Sequence, residues 1–383
     1  MNRTLQVAGR KIWDSSPGSF QLLLRPMFQH FKLKRAKSKI HDSALLQMRS
    51  KKFTREIDDY WMEYYGKRIV PLWHHIYANY TGVEDVRFIP QDVWASEMHD
   101  VFNDPLFRDT TYGDKNLYDN LFSTAHSPKT CFKKARGKYF DALNNEINSP
   151  EAFDLLRADD YDKIIKPSLG GGGARVFKIV IDKEMPEING VPITIRDIES
   201  KMMGAPQLAD NYIVQYKVVQ HQCLAAPHPA SLNTIRVVTF RWKQTLTVLY
   251  AVIRFGNKDN IIDNSSDALW CAVNSKGLID KKAADKKLNV YSIHPYTNYS
   301  FQEGYKVPNW EKIVDLCIIQ HKNLLHMEFA AWDIAVTEAG YPCFIEVNST
   351  PPVSMHQIVC RKPLFGDFTA DVLQYIKNSR KTG

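Results

Sequence analysis

The stretch WDIAVTEAGYPCFIEVNSTPP, residues 332–352, is typical of a β-hairpin that carries polar side chains in a hydrophobic setting. Successive side chains of a strand point to opposite faces of the sheet. The side chains expected to face away from the core are Asp333, Ala335, Phe344, Glu346 and Asn348. Those expected to pack into the core are Trp332, Ile334, Val336, Ile345 and Val347.

The spacing across this hairpin predicts that two carboxylates lie opposite each other. If the turn is centred between Ala339 and Gly340, Asp333 pairs with Glu346. Like charges opposed in this way are destabilising unless a positive group lies between them. Mg²⁺ suits such a site, with Asn348 as a third oxygen ligand. Two alternatives stay open: a carboxyl pair that shares one proton, or a three-residue loop with a bulge that shifts the register and puts the two acids on opposite faces.

Length and charge restrict the class of protein. The chain has 383 residues, of which 44% are hydrophobic, so we expect a globular protein with two or three packed subdomains. The net charge of +8 favours anionic partners. Nucleic acid is not expected among them, because the sequence has no zinc-finger or RNP-type motif.

The cysteines and the hydropathy indicate the compartment. Six cysteines are scattered without a CxxC spacing, which is typical of reduced thiols rather than a disulfide framework or a zinc site. No apolar run reaches the roughly 20 residues that span a bilayer, and a signal-peptide pattern is absent. We therefore expect a soluble cytoplasmic protein.

Residues 1–110 are predicted to be mainly helical and basic. Nine Lys or Arg side chains and one acid lie between Lys32 and Arg55, directly after an apolar patch. This pattern predicts a basic helix, either with a solvated face or with residues 20–55 in peripheral contact with anionic lipid at the inner face of the membrane. His74 and His75 are expected to be structural. The sequence does not determine an oligomeric state.

After the segment YGDKNLYDNLF, which ends at residue 122, the pattern changes to short β-rich runs that alternate with turns and a few helices, including one over 311–328. This order favours an α+β fold over a doubly wound sheet.

The segment YDKIIKPSLGGGGARVFKI, residues 161–179, predicts two strands joined by a glycine-rich loop. The first strand ends at Lys166, and the second begins near Arg175. Glycines let backbone N–H groups approach a phosphate chain, and a lysine supplies a point charge. The alternative is an ordinary mobile turn, since the segment matches neither a Walker A loop nor GxGxxG. Lys115 lies at the start of a predicted helix and is a second candidate phosphate ligand.

Two arginines lie in apolar strands that form a predicted hairpin, SLNTIRVVTF and VLYAVIRFGN. A buried guanidinium must be paired or must face a polar cavity. Arg236 and Arg254 therefore form a structural salt bridge, or they bind a transferring phosphate or a substrate carboxylate.

Four segments occur in an order that resembles the ATP-grasp superfamily, which includes D-alanine–D-alanine ligase: DKNLYDNLF, KPSLGGGG, HPASLNTIRVVTF and WDIAVTEAGYPCFIEVN. In detail they look like the sugar-transfer-associated ATP-grasp family of polysaccharide biosynthesis. The resemblance covers about residues 112–355. It implies an ATP-grasp fold, in which two α+β subdomains, 111–218 and 219–383, clasp ATP, with a mainly helical N-terminal region, 1–110.

The resemblance also implies roles for individual residues. The residues that would bind ATP are Lys115 and Lys166 at the phosphates, Gly170, Gly171, Gly172 and Gly173 as a lid, and Gln215, Lys217 and Val218 at the adenine hinge. Many relatives have Glu at the hinge position of Gln215. One or two Mg²⁺ ions, which Mn²⁺ could replace, would be held by Asp333, Glu346 and Asn348. Arg236 and Arg254 would stabilise the transferring phosphoryl group.

The activity implied by this resemblance is an ATP- and Mg²⁺-dependent carboxylate–amine ligase that works through an acyl phosphate. Its substrates would be an amino acid or amine and a carboxylated sugar or glycan. Two alternatives stay open. One is an ATP-grasp phosphotransferase (a kinase), and the other is a non-catalytic nucleotide-binding module of a glycan assembly complex.

Overall fold

The structure is a computed structural model that describes residues 40, 42–108, 111–170, 173, 175–182, 185–202 and 210–380. The chain forms two compact units. The first comprises the described residues up to Val101, Ala284–Val290 and those from Pro352 onward, and the second comprises Phe102–Ala283 and Tyr291–Pro351. The division predicted at residues 110 and 218 stays a prediction, and the segment after Pro351 belongs to the first unit.

The first unit is helical in its described part. Its α-helices are Lys51–Tyr65, Leu72–Thr81, Gln91–Val93, Ser354–Cys360 and Thr369–Ser379, with the helix His99–Phe102 at its boundary. Shorter turns of helix are Ser43–Leu46 and Gly366–Phe368, which are 3₁₀, and Trp94–Met98, which is π-helical. His74 and His75 are buried in this unit, and burial lowers the pKa of His74 to about 3.

The predicted basic helix over 32–55 is only partly described, since residues up to 39 lie outside the described residues. The helix begins at Lys51, because the Ser50 hydroxyl accepts a hydrogen bond from the Phe53 N–H and caps it. Residues 47–50 are not helical, so the predicted helix is wrong there. The helix ends at Gly66, which has a left-handed conformation.

The first sheet of the second unit has eight antiparallel strands in the order β3-β2-β1-β8-β4-β5-β6-β7. Their bounds are β1 Thr130–Ala135, β2 Lys138–Asp141, β3 Glu146–Ile147, β4 Lys163–Pro167, β5 Phe177–Asp182, β6 Met185–Ile188, β7 Val191–Pro192 and β8 Tyr212–Tyr216. The helices Ser149–Arg157 and Ile195–Met202 cover one face, where Ile165, Tyr212 and Val214 join their core. The opposite face carries Lys166 and Gln215 beside Ile164 and Ile213.

The second sheet has seven strands in the order β13-β12-β11-β10-β9-β14-β15. Their bounds are β9 Ile235–Trp242, β10 Thr245–Phe255, β11 Leu269–Val273, β12 Ala283–Ala284, β13 Val290–Tyr291, β14 Phe329–Val336 and β15 Pro342–Asn348. The helix Trp310–His321 shares the core of this sheet. It ends seven residues before the predicted residue 328, because turns at 322–327 lead directly into β14. Other short helices of this unit are Pro105–Arg108, Lys115–Leu117 (3₁₀), Tyr118–Leu121, Gln222–Ala225 and Phe301–Glu303 (3₁₀).

The hairpin β14–β15 has the predicted pairing of Asp333 with Glu346, but it reaches that register through a β-bulge. Ile334 pairs with Phe344, so Ile345 is an extra residue, and the turn is centred on Ala339. The bulge puts Phe344 into the core, where its ring centroid lies 5.8 Å from that of Trp332. The prediction that Phe344 shares a face with Glu346 is therefore wrong.

The α+β class and the mainly helical N-terminal region are confirmed for the described residues. Within those residues, no helix combines the length and the hydrophobicity that a membrane span requires. All six cysteines are free thiols.

Candidate active site

Asp333 is bound on both oxygens by an arginine of the neighbouring strand. It lies directly opposite Arg236 of β9, whose Nε and Nη2 donate to Oδ1 and Oδ2 over 2.7 Å each. Arg254 of β10 adds a contact of 3.0 Å from Nη2 to Oδ2. Burial opposes ionisation of Asp333, but the two guanidiniums hold the pKa of this carboxyl well below its usual range. The structural salt bridge that the sequence left open is therefore present.

A second carboxylate, Asp263, contacts Arg254 from the loop after β10. Its Oδ1 lies 3.3 Å from Arg254 Nη2, and its Oδ2 accepts hydrogen bonds from the N–H and the hydroxyl of Thr234 at 2.7 Å and 2.5 Å. Burial raises the pKa of Asp263, although Arg254 opposes this shift. Sequence patterns missed both residues, because an acid in a turn and a threonine before a strand are common and carry no spacing signal.

The three predicted metal ligands converge. Asn348 Nδ2 lies 3.2 Å from Asp333 Oδ2 and 3.4 Å from Glu346 Oε1. No group of three or more His, Cys, Asp or Glu side chains in the described part of the chain is placed to hold a metal ion. Two carboxylates with an amide oxygen nevertheless fit a hard divalent cation, if Asn348 turns its amide. Glu346 is the better placed carboxylate, since Asp333 already binds two arginines. Metal binding stays a prediction.

Lys115 links the glycine-rich loop to the carboxylate hairpin. Asp114 caps the short helix Lys115–Leu117 by accepting from the Asn116 N–H, which fixes the backbone at Lys115. The Lys115 Nζ donates to the Gly170 carbonyl over 2.8 Å and lies 3.5 Å from Glu346 Oε2. The side chain is buried, so its charge acts in a weakly screened environment.

Lys166 and Gln215 lie on the face of the first sheet that is not covered by its helices. Lys166 pairs with Ile213, and Ile164 pairs with Gln215, so the two polar side chains are neighbours on one face. Burial, with the nearby Lys115 ammonium, lowers the pKa of Lys166 to about 8, although Glu346 opposes this shift. The Gln215 amide nitrogen donates to the Pro128 carbonyl over 3.2 Å.

The remaining predicted nucleotide residues are less closely grouped. Lys217 and Val218 follow the end of β8, and Lys217 is exposed with its Nζ 3.5 Å from Asp162. Gly171 and Gly172 lie outside the described residues. Gly170 and Gly173 have positive φ angles of 89° and 72°. The second strand begins at Phe177, two residues later than predicted.

Two further histidines, His228 and His221, are held by local contacts. His228 is buried, with Nδ1 2.8 Å from Ser231 Oγ and Nε2 2.6 Å from the Lys258 carbonyl. The His221 side chain caps the helix Gln222–Ala225. Both therefore have structural partners.

The site concentrates positive charge within the second unit. We define the cationic cluster as four side chains: Lys115, Lys166, Arg236 and Arg254. Three carboxylates accompany it: Asp263, Asp333 and Glu346. Four cations and three anions leave one net positive charge when all are ionised. Such a cluster favours binding of a polyanion such as a phosphate chain.

Several solved structures match this chain at low sequence identity. The VanG D-Ala:D-Ser ligase from Enterococcus faecalis matches at 14% identity and a TM-score of 0.42, over 69% of this chain and 61% of that one, so this chain spans less than two thirds of its length. The D-alanine–D-alanine ligase from Bacillus anthracis matches at 14% identity and a TM-score of 0.40, over 74% of this chain and 73% of that one. The biotin carboxylase from Campylobacter jejuni matches at 12% identity and a TM-score of 0.41, over 70% of this chain and 46% of that one.

No curated protein sequence matches the chain significantly. The family model described as sugar-transfer associated ATP-grasp matches residues 110–372, which is more than half of the chain. This match confirms the resemblance and the fold that the motifs predicted. The chain belongs to the sugar-transfer-associated ATP-grasp family.

Proposed function

We propose that this protein is an ATP- and Mg²⁺-dependent ligase that joins a carboxylate to an amine through an acyl phosphate. The observation that carries the proposal is the cationic cluster, which lies beside Glu346 and Asn348 at the end of the glycine-rich loop. A site for phosphoryl transfer needs this combination, because the reaction depends on positioning and on neutralising charge.

Two lysines of the cluster bind the phosphates of ATP in this proposal. Lys115 is already oriented by the Gly170 carbonyl, so little side-chain entropy is lost when a phosphate binds. Lys166 lies beside Gln215 on the face of the first sheet that its helices do not cover, which extends the site toward the adenine hinge. The backbone of the glycine-rich loop supplies N–H donors.

Glu346 and Asn348, with Asp333 if Arg236 and Arg254 release it, would hold Mg²⁺, which when bound neutralises phosphate charge and orients the oxygens. Before Mg²⁺ binds, Lys115 neutralises the charge on Glu346. Arg254 keeps its place through Asp263 and Thr234.

The chemistry has two balanced steps. A carboxylate oxygen of the acid attacks the γ-phosphorus, the bond to the ADP oxygen breaks, and an acyl phosphate and ADP form. The amine nitrogen then attacks the acyl carbon, the carbon–oxygen bond to phosphate breaks, phosphate leaves with the electron pair, and the nitrogen loses a proton. Arg254 stabilises the transferring phosphoryl group. No nucleophilic side chain is required, because the carboxylate of the acid attacks the phosphorus directly.

The proposed substrates are an amino acid or other amine and a carboxylated sugar or glycan of polysaccharide biosynthesis. This part rests on the association of the family with sugar transfer. The proposed partners are small molecules or glycans rather than nucleic acid, because the sequence has no zinc-finger or RNP-type motif.

A titration of the protein with Mg²⁺ and ATP in a calorimeter, followed by a turnover assay over many acid and amine pairs, tests the proposal. ADP together with a new amide is the expected result. ADP with a phosphorylated acid or sugar that does not react onward would identify a kinase. Binding without turnover of any pair would identify a non-catalytic module. The variant Lys115→Gln should lose nucleotide binding, while Lys138→Gln, which changes a solvent-exposed lysine paired with Glu146, should retain it.

A further inference from the structure

Arg254 is held in place through one nitrogen of its guanidinium, Nη2. Its Nη2 donates to Thr234 Oγ1 at 2.5 Å and lies 3.0 Å from Asp333 and 3.3 Å from Asp263. Its Nε and Nη1 have no hydrogen-bond partner among the described residues, although only 2% of the residue is exposed. A buried guanidinium with free N–H groups is costly, so these two groups are available to donate hydrogen bonds to a bound anion.

Asp263 and Thr234 form a directional chain of hydrogen bonds that ends at Arg254. The Thr234 hydroxyl has one proton, which it donates to Asp263 Oδ2. It therefore accepts, rather than donates, in its contact with Arg254 Nη2. The N–H of Thr234 donates to the same carboxylate oxygen and fixes the geometry. Asp263 thus orients the hydroxyl, and the hydroxyl orients the arginine.

The charge balance gives Asp263 a second task. Arg236 and Arg254 share Asp333, and all three side chains are almost completely buried. One carboxylate cannot neutralise two guanidiniums, and an uncompensated buried charge is strongly destabilising. Asp263 is 5% exposed and supplies the second negative charge. It is also the counter-ion of Arg254 that remains if Asp333 turns to a metal ion.

We propose that Asp263 is a positioning residue for phosphoryl transfer, which acts through Thr234 to hold Arg254 so that its Nε and Nη1 hydrogen-bond the transferring group. This inference rests on the proposed function. Asp263 itself touches no substrate. The acceptor side of the reaction is not involved, so the inference applies equally to a ligase and to a kinase.

The test compares the affinity for ADP with the affinity for ADP plus aluminium fluoride, which together mimic a transferring phosphoryl group. Both are measured by calorimetry with Mg²⁺. The variants are Asp263→Asn, which removes the charge, and Thr234→Val, which removes the hydroxyl. In both we expect ADP affinity to stay within about twofold, while the affinity for the mimic falls at least about tenfold. Thr234→Ser, which keeps a hydroxyl, should bind the mimic as tightly as the wild type does. The control is Asp267→Asn, in the same loop, whose carboxylate pairs with Lys258 at 3.3 Å.

A double variant separates positioning from a general loss of structure. If Asp263 acts through Arg254, the variant Asp263→Asn with Arg254→Ala should bind the mimic no more weakly than Arg254→Ala alone. Equal losses for ADP and for the mimic, or additive losses in the double variant, would overturn the inference while the proposed function stands. A wild-type protein that binds ADP but does not bind the mimic more tightly would refute phosphoryl transfer itself, and the inference with it.

Discussion

Arg236 and Asp333 face each other across two paired strands and share two hydrogen bonds of 2.7 Å in a fully buried setting. The bond pair uses the planar fork of the guanidinium, which lysine lacks. The same carboxylate lies opposite Glu346 on its other side. Asp333 therefore joins the arginines of the second sheet to the candidate metal ligands.

Replacing Arg236 with Lys should lower the free energy of unfolding by about 2 kcal/mol, because one charged hydrogen bond is lost in the buried site. Arg236→Ala should cost roughly 3–5 kcal/mol, since it leaves a buried carboxylate short of a partner. Urea unfolding measures both. The control is Arg157→Lys, at an exposed pair with Asp154 that spans a similar distance of 2.8 Å, where about 0–1 kcal/mol is expected. Equal losses at both sites would contradict the assigned importance of burial.

Nucleotide affinity should depend on pH through Lys166. Its pKa is lowered to about 8, so the ammonium that attracts phosphate is present below that pH and is lost as the pH rises through it. We expect the affinity for ATP to fall about tenfold from roughly pH 7 to roughly pH 9. Binding near pH 8 should also take up protons, which calorimetry in buffers of different ionisation enthalpy detects. Lys166→Arg keeps its charge and should lose this pH dependence. A profile unchanged by Lys166→Arg would refute the assignment.

An alanine at Gly173 should be strained for two separable reasons. Its φ is +72°, and an added Cβ would lie 2.1 Å from Ile262 Cδ1. Gly170 has a similar φ of +89° but nothing within 4 Å of an added Cβ. Gly173→Ala should therefore weaken ATP binding more than Gly170→Ala does. Adding Ile262→Ala should recover part of the loss for Gly173→Ala and none for Gly170→Ala. Equal effects of the two alanines would show that contact with Ile262 is unimportant.

Glu346 should be a metal ligand, whereas Glu338 on the same hairpin should not. Glu346→Gln should weaken the binding of Mn²⁺ to the protein–ADP complex at least about tenfold, because a charged ligand is lost. Electron paramagnetic resonance of free Mn²⁺ measures this directly. Glu338→Gln, at the exposed turn of the same hairpin, is the matched control and should have no effect. Wild-type affinity in the Glu346 variant would remove this residue from the metal site.

Local sequence patterns were enough to predict the fold class and several elements of this protein. Alternation along the strands predicted the α+β class, the hairpins and the pairing of Asp333 with Glu346, because side-chain period and turn position are properties of neighbouring residues. The order of motifs was enough to indicate the family. Lys115 was placed at a helix start for the same local reason.

Tertiary structure decided what those side chains contact. Arg236, Arg254 and Asp333 come from three strands, and only the strand order β10-β9-β14 brings them together. Asp263 joins them from a loop that has no periodic signal. A bulge in this hairpin was one of the alternatives that the sequence left open, and its position at Ile345 depends on how Phe344 and Val347 both fit one core. Contacts between residues far apart in the chain depend on packing, and the spacing of residues within one segment carries no information about it.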